Sequence, residues 1–272
     1  MTCPNCSAEL TGDLCSNCEY NHPGGPKRLN LFELLSTRLL KLDYSYLRTV
    51  VGIFQAPGIV AREYVQGRRI WYTNPVTYWL VAATLQLVAF STVGDSYVDY
   101  LETSMTYTME LDSPQAAQAQ EGMEVYKKLF RTDEPIPVLA QVMASVTRAG
   151  YSYVGIFFAA AFAFALTLFT RTATGSFRVA EQFVFALYTI GHWLLVTAFL
   201  LPITFRISPG LHFLIGTMGY LVLAGWGSVD FHQQGMRGAL RSTAAMFAAV
   251  LLYMVVMLVV MMVFIFAKSL AS

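Results

Sequence analysis

Five stretches of the chain, roughly 76–93, 150–170, 183–205, 211–229 and 244–267, each run 18 residues or more without a Lys, Arg, Asp or Glu. A helix needs about 20 mainly apolar residues to cross a hydrocarbon core about 30 Å thick, and inside that core every backbone N–H and C=O must be satisfied within the segment. The pattern therefore predicts an all-α polytopic membrane protein with about five transmembrane helices. Four spans remain open as an alternative, since only 206–210 separates the third stretch from the fourth and either of them could be re-entrant. Composition points the same way: the 272 residues are 56% hydrophobic and 13% charged, whereas a soluble domain carries about 25% charged residues. The net charge of +1 excludes nucleic-acid binding driven by a large positive excess, and no nucleic-acid partner is expected.

All four cysteines, Cys3, Cys6, Cys15 and Cys18, lie in the first 18 residues as two Cys-x-x-Cys turns. Two such turns can aim four thiolates at one tetrahedral ion, and Zn²⁺ suits that donor set. Four protein ligands leave no open position, so the expected role of the ion is structural. The alternatives are paired disulfides, which require an oxidising compartment, and a redox pair, which belongs with a βαβ pattern absent here. The spacing predicts a small zinc ribbon over 1–20, with Ser7 and Glu19 where such knuckles usually carry glycine. His22 reads as a loop residue or as a substitute ligand. Reduced thiolates place the amino terminus in the cytoplasm, and the polar start carries no signal-peptide pattern.

Residues 21–28, with His22-Pro23-Gly24-Gly25-Pro26, read as a hinge. Residues 29–75 follow as juxtamembrane helices. Over 29–43, Leu31, Leu34, Leu35 and Leu42 share one helical face, which lies either in the membrane interface or on the protein's own surface. A second helix over about 44–54 stops before Pro57-Gly58, and a third over 59–66 stops at Gly67. Arg68, Arg69, Trp71 and Tyr72 form a basic and aromatic collar of the kind found where a chain enters a bilayer. Asn74 and Pro75 suit the N-cap and first turn of the first span.

With the amino terminus inside, twelve of the 18 Lys and Arg fall on the cytoplasmic side, as the positive-inside rule demands. The segment 94–149 carries nine acidic residues against four basic ones and is expected outside, as is the carboxyl terminus. Within it, Ser113-Pro114 predicts a helix start, the stretch 116–130 is helix-compatible with Gly122 interrupting it, and 138–148 extends the second span outward.

Few groups within the spans can do chemistry. Counted from the ends of their stretches, Gln86 and His192 reach similar depth, and Tyr188 shares a face with His192 at i, i+4. Polar side chains there suggest either a functional track, extended by Tyr220, or neutral groups satisfying one another between packed helices. The track lacks a carboxylate, because Glu181 and Asp230 stand at helix ends near Arg178, Arg237 and Arg241. No metalloprotease, nucleophile-elbow or phosphate-loop motif appears, so the reading favours no enzymatic activity.

Pro57, Gly58, Arg62, Glu63, Tyr64, Gly67, Arg68, Arg69 and Pro75, directly ahead of a hydrophobic span, form a pattern that resembles an uncharacterised bacterial membrane-protein family, domain of unknown function 3667. The resemblance implies a zinc-ribbon start, an amphipathic stretch and a multi-pass protein of the bacterial cytoplasmic (inner) membrane. It brings no established activity. Physically, Arg62, Glu63, Tyr64, Arg68 and Arg69 are candidates for binding anionic lipid head groups or a partner, or serve as topology anchors. Two functional expectations follow. One is a non-enzymatic scaffold that docks a cytoplasmic protein through its ribbon. The other is a transporter or lipid-handling protein that uses the level of Gln86 and His192.

Overall fold

A computed structural model of the protein describes residues 2–3, 6, 8–9, 11–12, 15–17, 44–111, 113–130, 133–149, 155–170 and 177–271. The expected hinge, the amphipathic stretch 29–43, His22 and the fourth cysteine, Cys18, lie outside them. Among the described residues the chain is helical. In order the helices are α1 Tyr44–Gln55, α2 Pro57–Val65, α3 Pro75–Ser91, α4 Gly94–Glu110, α5 Pro114–Phe130, α6 Pro135–Ala149, α7 Gly155–Phe169, α8 Val179–Ile207, α9 Pro209–His232 and α10 Gly235–Ala271.

Three of these helices, α8, α9 and α10, are long and apolar enough to cross a membrane, and a fourth span results if α3 and α4, bent by 67° at their junction, count as one broken span. Among the described residues the expected five are not confirmed. The 17 residues of α3 make about 25 Å of helix, short of the hydrocarbon thickness. It ends where Ser91 and Thr92 turn their hydroxyls back onto the carbonyls of Val88 and Ala89, a local competition that favours helix termination. The second expected span is described as α7, 15 residues long, with 150–154 outside the described residues.

Helix α4 was not foreseen in the sequence pattern. It turns Tyr97, Tyr100 and Leu101 onto Phe90, Leu201 and Phe205 to form a second, smaller apolar cluster. Ser113 Oγ accepts from the amide of Ala116 at 3.2 Å, starting α5 where Ser113-Pro114 predicts. Contrary to expectation, α5 runs unbroken through Gly122, whose site is open, with no atom within 4 Å of an added Cβ.

Helix α8 is the axis of the bundle: Val184 to Leu187 are fully buried, and α3, α7, α9 and the pair α1–α2 all pack on it. Helix α9 keeps Leu214, Met218, Val222 and Trp226 exposed at intervals of four. That continuous apolar stripe is suited to lipid rather than water.

Three contacts set the register between α3 and α8. Tyr188 donates to the carbonyl of Thr73, Tyr78 Oη is 2.8 Å from His192 Nδ1, and Thr197 donates to Gln86 Oε1 at 3.1 Å. The two helices therefore run parallel, and residues 179–188 of α8 project about 15 Å past the start of α3. Helix α2 packs against this projection and against the last turns of α9, while α1 meets α8 through Phe54 on His192.

Candidate functional site

The site is the seat of α2 on α9 and the collar that follows it. Pro57 opens α2 with its fixed φ, and Ala56 before it offers no side-chain cap. The missing acceptor comes from another helix: the carboxylate of Asp230, near the end of α9, accepts from the amide of Gly58. An orphan first-turn donor is thereby satisfied. Gly58 is required by proximity. A Cβ there would lie 1.9 Å from the carbonyl oxygen of Gly227 and 2.5 Å from the amide nitrogen of Phe231. Two glycines, far apart in sequence, let the backbones of α2 and α9 touch.

Downstream, Gly67 takes φ +111°, a left-handed conformation open to glycine, and turns the chain from α2 into the collar. Glu63 is doubly engaged: Arg68 Nη1 donates to it at 2.8 Å and Tyr72 Oη at 2.6 Å. Burial, reinforced by that bond to Glu63, pushes the Tyr72 phenol up to about 12, so its proton stays to donate. Tyr64 packs edge-on against Tyr188. The guanidinium of Arg48 lies over the rings of Tyr44 and Trp71, at 5.0 and 4.6 Å, within cation–π range.

Thr73 ties the collar to both neighbours. Its amide donates to Thr49 Oγ1 at 2.9 Å, its hydroxyl is 3.1 Å from Ser45 Oγ, and its carbonyl accepts from Tyr188. Asn74 then caps α3, accepting from Val76 at 2.9 Å. Helix α1, the collar and α8 thus converge on one buried residue just ahead of the span.

The candidate basic residues are not equivalent. Arg68 is spent on Glu63. Arg62 instead lines a groove of about 310 Å³ between α2 and the end of α9, together with Ile59, Glu63, Gln66, Val229, Asp230 and Gln233. Its Nη1 is shielded from solvent and has no hydrogen-bond partner among the described residues. Arg69 is half-buried in the collar.

The structure does not bring Gln86 and His192 together. Both are 1% exposed, but His192 pairs with Tyr78 and touches the ring of Phe54 at 4.3 Å, while Gln86 meets Thr197, five residues further along α8. Tyr188 belongs to the Thr73 contact, and Tyr220 packs among Phe158 and Phe162. The expected track is resolved into separate contacts, Tyr78 with His192, Thr197 with Gln86 and Tyr188 with the Thr73 carbonyl, and the Tyr220 hydroxyl has no hydrogen-bond partner among the described residues.

One of these pairs allows a direct check. Tyr78→Phe leaves a buried imidazole nitrogen without its partner and should cost about 1–3 kcal/mol, whereas Tyr78→Phe with His192→Leu should cost less than the sum of the two single changes. Thermal melts of the purified variants measure this, and additive losses would contradict the pairing.

At the amino terminus, the sulfurs of Cys3, Cys6 and Cys15 lie within 4.8 Å of one another, with Cys6 and Cys15 at 3.5 Å. The amide of Cys3 donates to the carbonyl of Ala8 at 2.7 Å, and Thr2 bridges Glu9, closing a tight turn around Cys6. Sulfurs bound tetrahedrally to zinc at about 2.3 Å stand about 3.8 Å apart, so these three donors fit such an ion.

Residues 46–87 match the family described as protein of unknown function (DUF3667). No curated protein and no solved structure matches the chain. The DUF3667 segment spans most of α1, all of α2, the collar and α3 as far as Leu87. From this segment Gly58, Tyr64, Thr73, Tyr78 and Gln86 reach out of it to Tyr188, His192, Thr197, Gly227 and Asp230 on α8 and α9.

Several of these residues are invisible to motif reasoning. Ser45 and Thr49 stand at i, i+4 on α1, and two hydroxyls on one face of an apolar helix are a weak signal of a buried partner. Another network was missed outright. His232 bridges Ser228 Oγ at 2.8 Å and Gln182 Oε1 at 3.1 Å, and Gln182 passes on to Thr170 at 3.1 Å, joining α9 to α8 and to the end of α7.

Proposed function

We propose that the chain is a non-enzymatic membrane scaffold of the bacterial cytoplasmic membrane, whose amino-terminal zinc ribbon docks a cytoplasmic protein while the helical bundle anchors it. The observation that carries this reading is the seat of α2. Backbone contact at Gly58 and Gly227, the Asp230 cap and the three bonds of Thr73 hold the segment leading from the ribbon as a fixed platform on α8 and α9. The buried polar groups at Tyr78 and His192 and at Gln86 and Thr197 are paired with one another and join α3 to α8. Zinc in the ribbon is structural, held by Cys3, Cys6, Cys15 and Cys18, and supplies folding energy rather than catalysis. The amino terminus and the collar face the cytoplasm, with Arg48, Arg62, Arg68 and Arg69 beside the anionic inner leaflet.

The test is affinity capture of the full chain from membranes, with and without Cys3→Ser/Cys6→Ser. The expected result is that a discrete set of proteins is retained by the unmodified chain and lost from the variant, with the variant still inserted. An identical set from both would refute docking through the ribbon.

A further inference from the structure

From the groove between α2 and the end of α9, we infer that the protein holds the head group of a zwitterionic phospholipid bearing a primary ammonium. This goes beyond the scaffold reading: it rests on the helices being membrane-embedded and not on the ribbon.

The groove lies beside Gly58 and Asp230, and Gly227 in the same turn of α9 packs on Phe185 of α8. Phe185 falls in the part of α8 that projects past the start of α3, since the Tyr188 to Thr73 contact marks that start. If the start of α3 meets the edge of the hydrocarbon, the groove is at the depth of head groups.

Charge then selects the ligand. Glu63 lines the groove, but both its oxygens are taken, one by Arg68 and one by Tyr72. Two charged residues without an ion-pair partner among the described residues remain in the lining, Arg62 and Asp230. Asp230 has accepted only the amide of Gly58, and no ion pair joins it to Arg62 among the described residues. A purely anionic head group would satisfy Arg62 but lie against Asp230. A zwitterion satisfies both, its phosphate oxygens accepting from Arg62 and its ammonium donating to Asp230. The carboxyl end of α9, closing at Gln233, adds partial negative charge on the ammonium side.

Arg62 has hydrogen-bonding capacity to spare, since its Nη1 carries no hydrogen bond among the described residues, which is unusual for a buried donor in a folded chain. Gln66 and Gln233 offer further donors and acceptors, and Ile59, which is 44% exposed, together with Val229 provides an apolar edge for the start of an acyl chain. The ligand is a lipid rather than its soluble head group because this edge leads onto the membrane-facing surface.

The experiment uses the full chain, purified in detergent and titrated with phosphatidylethanolamine, phosphatidylcholine or phosphatidylglycerol, with bound lipid counted by native mass spectrometry. Soluble O-phosphoethanolamine serves as competitor. The expected result is retention of phosphatidylethanolamine about tenfold above the other two, the size of a lost charge-assisted hydrogen bond. Phosphatidylcholine fails because its quaternary ammonium carries no N–H, and phosphatidylglycerol because it brings no cation to Asp230. Arg62→Gln should erase the preference while its melting point without lipid is unchanged or higher.

The head-group series on the unmodified chain decides the matter even if that variant expresses poorly. Equal retention of phosphatidylglycerol or phosphatidylcholine, a preference that survives Arg62→Gln, or displacement by O-phosphoethanolamine at lipid-like concentrations would each overturn the proposal. Loss of ribbon-dependent partner capture would leave it standing.

Discussion

Gly58→Ala should be the most damaging single methyl group in the helical part of the protein. Its added carbon would sit 1.9 Å from the Gly227 carbonyl oxygen, 2.5 Å from the Phe231 amide and 2.7 Å from Asp230 Cβ. Two of those three are backbone atoms of a packed helix and have no rotamer to escape into, so α2 itself must move. Overpacking of this kind costs about 1–3 kcal/mol and sometimes more. Displacing α2 also breaks the bond from Gly58 to Asp230, a capping interaction worth about 1 kcal/mol. The combined expectation is a loss of about 3 kcal/mol or more, with Gly58→Val worse.

Two controls separate this contact from ordinary helix effects. Gly122→Ala meets nothing within 4 Å and should stabilise α5 by up to about 1 kcal/mol through helix propensity alone. Gly191→Ala would meet Trp79 Cα at 3.1 Å and should fall between the two. Melting curves of the purified proteins rank the three, and a Gly58→Ala protein that melts with the unmodified chain would mean that α2 is not seated on α9.

The turn chemistry of this region was legible because it is local. Gly67 takes the left-handed turn and Asn74-Pro75 caps α3, each a signal read from two or three neighbouring residues, whereas Pro57-Gly58, expected as a turn ahead of a helix starting at residue 59, is the first turn of α2 itself. What those turns present to the rest of the chain was not legible. Nothing near Gly58 in sequence announces Gly227, and nothing near Thr73 announces Tyr188, because close approach of two helices is decided by the shape of both.

Depth was misjudged for a related reason. Counting from the first residues of their apolar stretches sets Gln86 and His192 level, but α8 starts lower than α3 and its partner for Gln86 is Thr197. The error of five residues is about 8 Å along the helix, more than a full turn, and it separates what looked like one polar level into two. The count of five is not confirmed because composition is blind to helix ends: 76–93 is uncharged throughout, yet Ser91 and Thr92 stop the helix and α4 departs at 67°.

The amino-terminal segment should bind one zinc ion per chain, and Cys6→Ser or Cys15→Ser should abolish it. The sulfurs of Cys3, Cys6 and Cys15 already converge to within 4.8 Å, the arrangement that a tetrahedral ion with thiolate ligands requires. Structural zinc contributes about 10–16 kcal/mol in comparable small sites near neutral pH, far more than the turn around Cys6 can supply. Removing one thiolate should therefore unfold the segment while leaving the seat of α2 intact, since the seat is held by Gly58 on Gly227 and Asp230 and by Thr73 on Thr49 and Tyr188.

Three readouts separate the outcomes. Metal analysis of the purified chain should give stoichiometric zinc, falling to background in either variant. Limited proteolysis should cut the variants ahead of α1 much faster than the unmodified protein, at the same melting temperature for the helices. Alkylation before and after reduction distinguishes the competing chemistry: a zinc site is alkylated once a chelator is added, without reductant, whereas paired disulfides would need reduction first and would carry no metal.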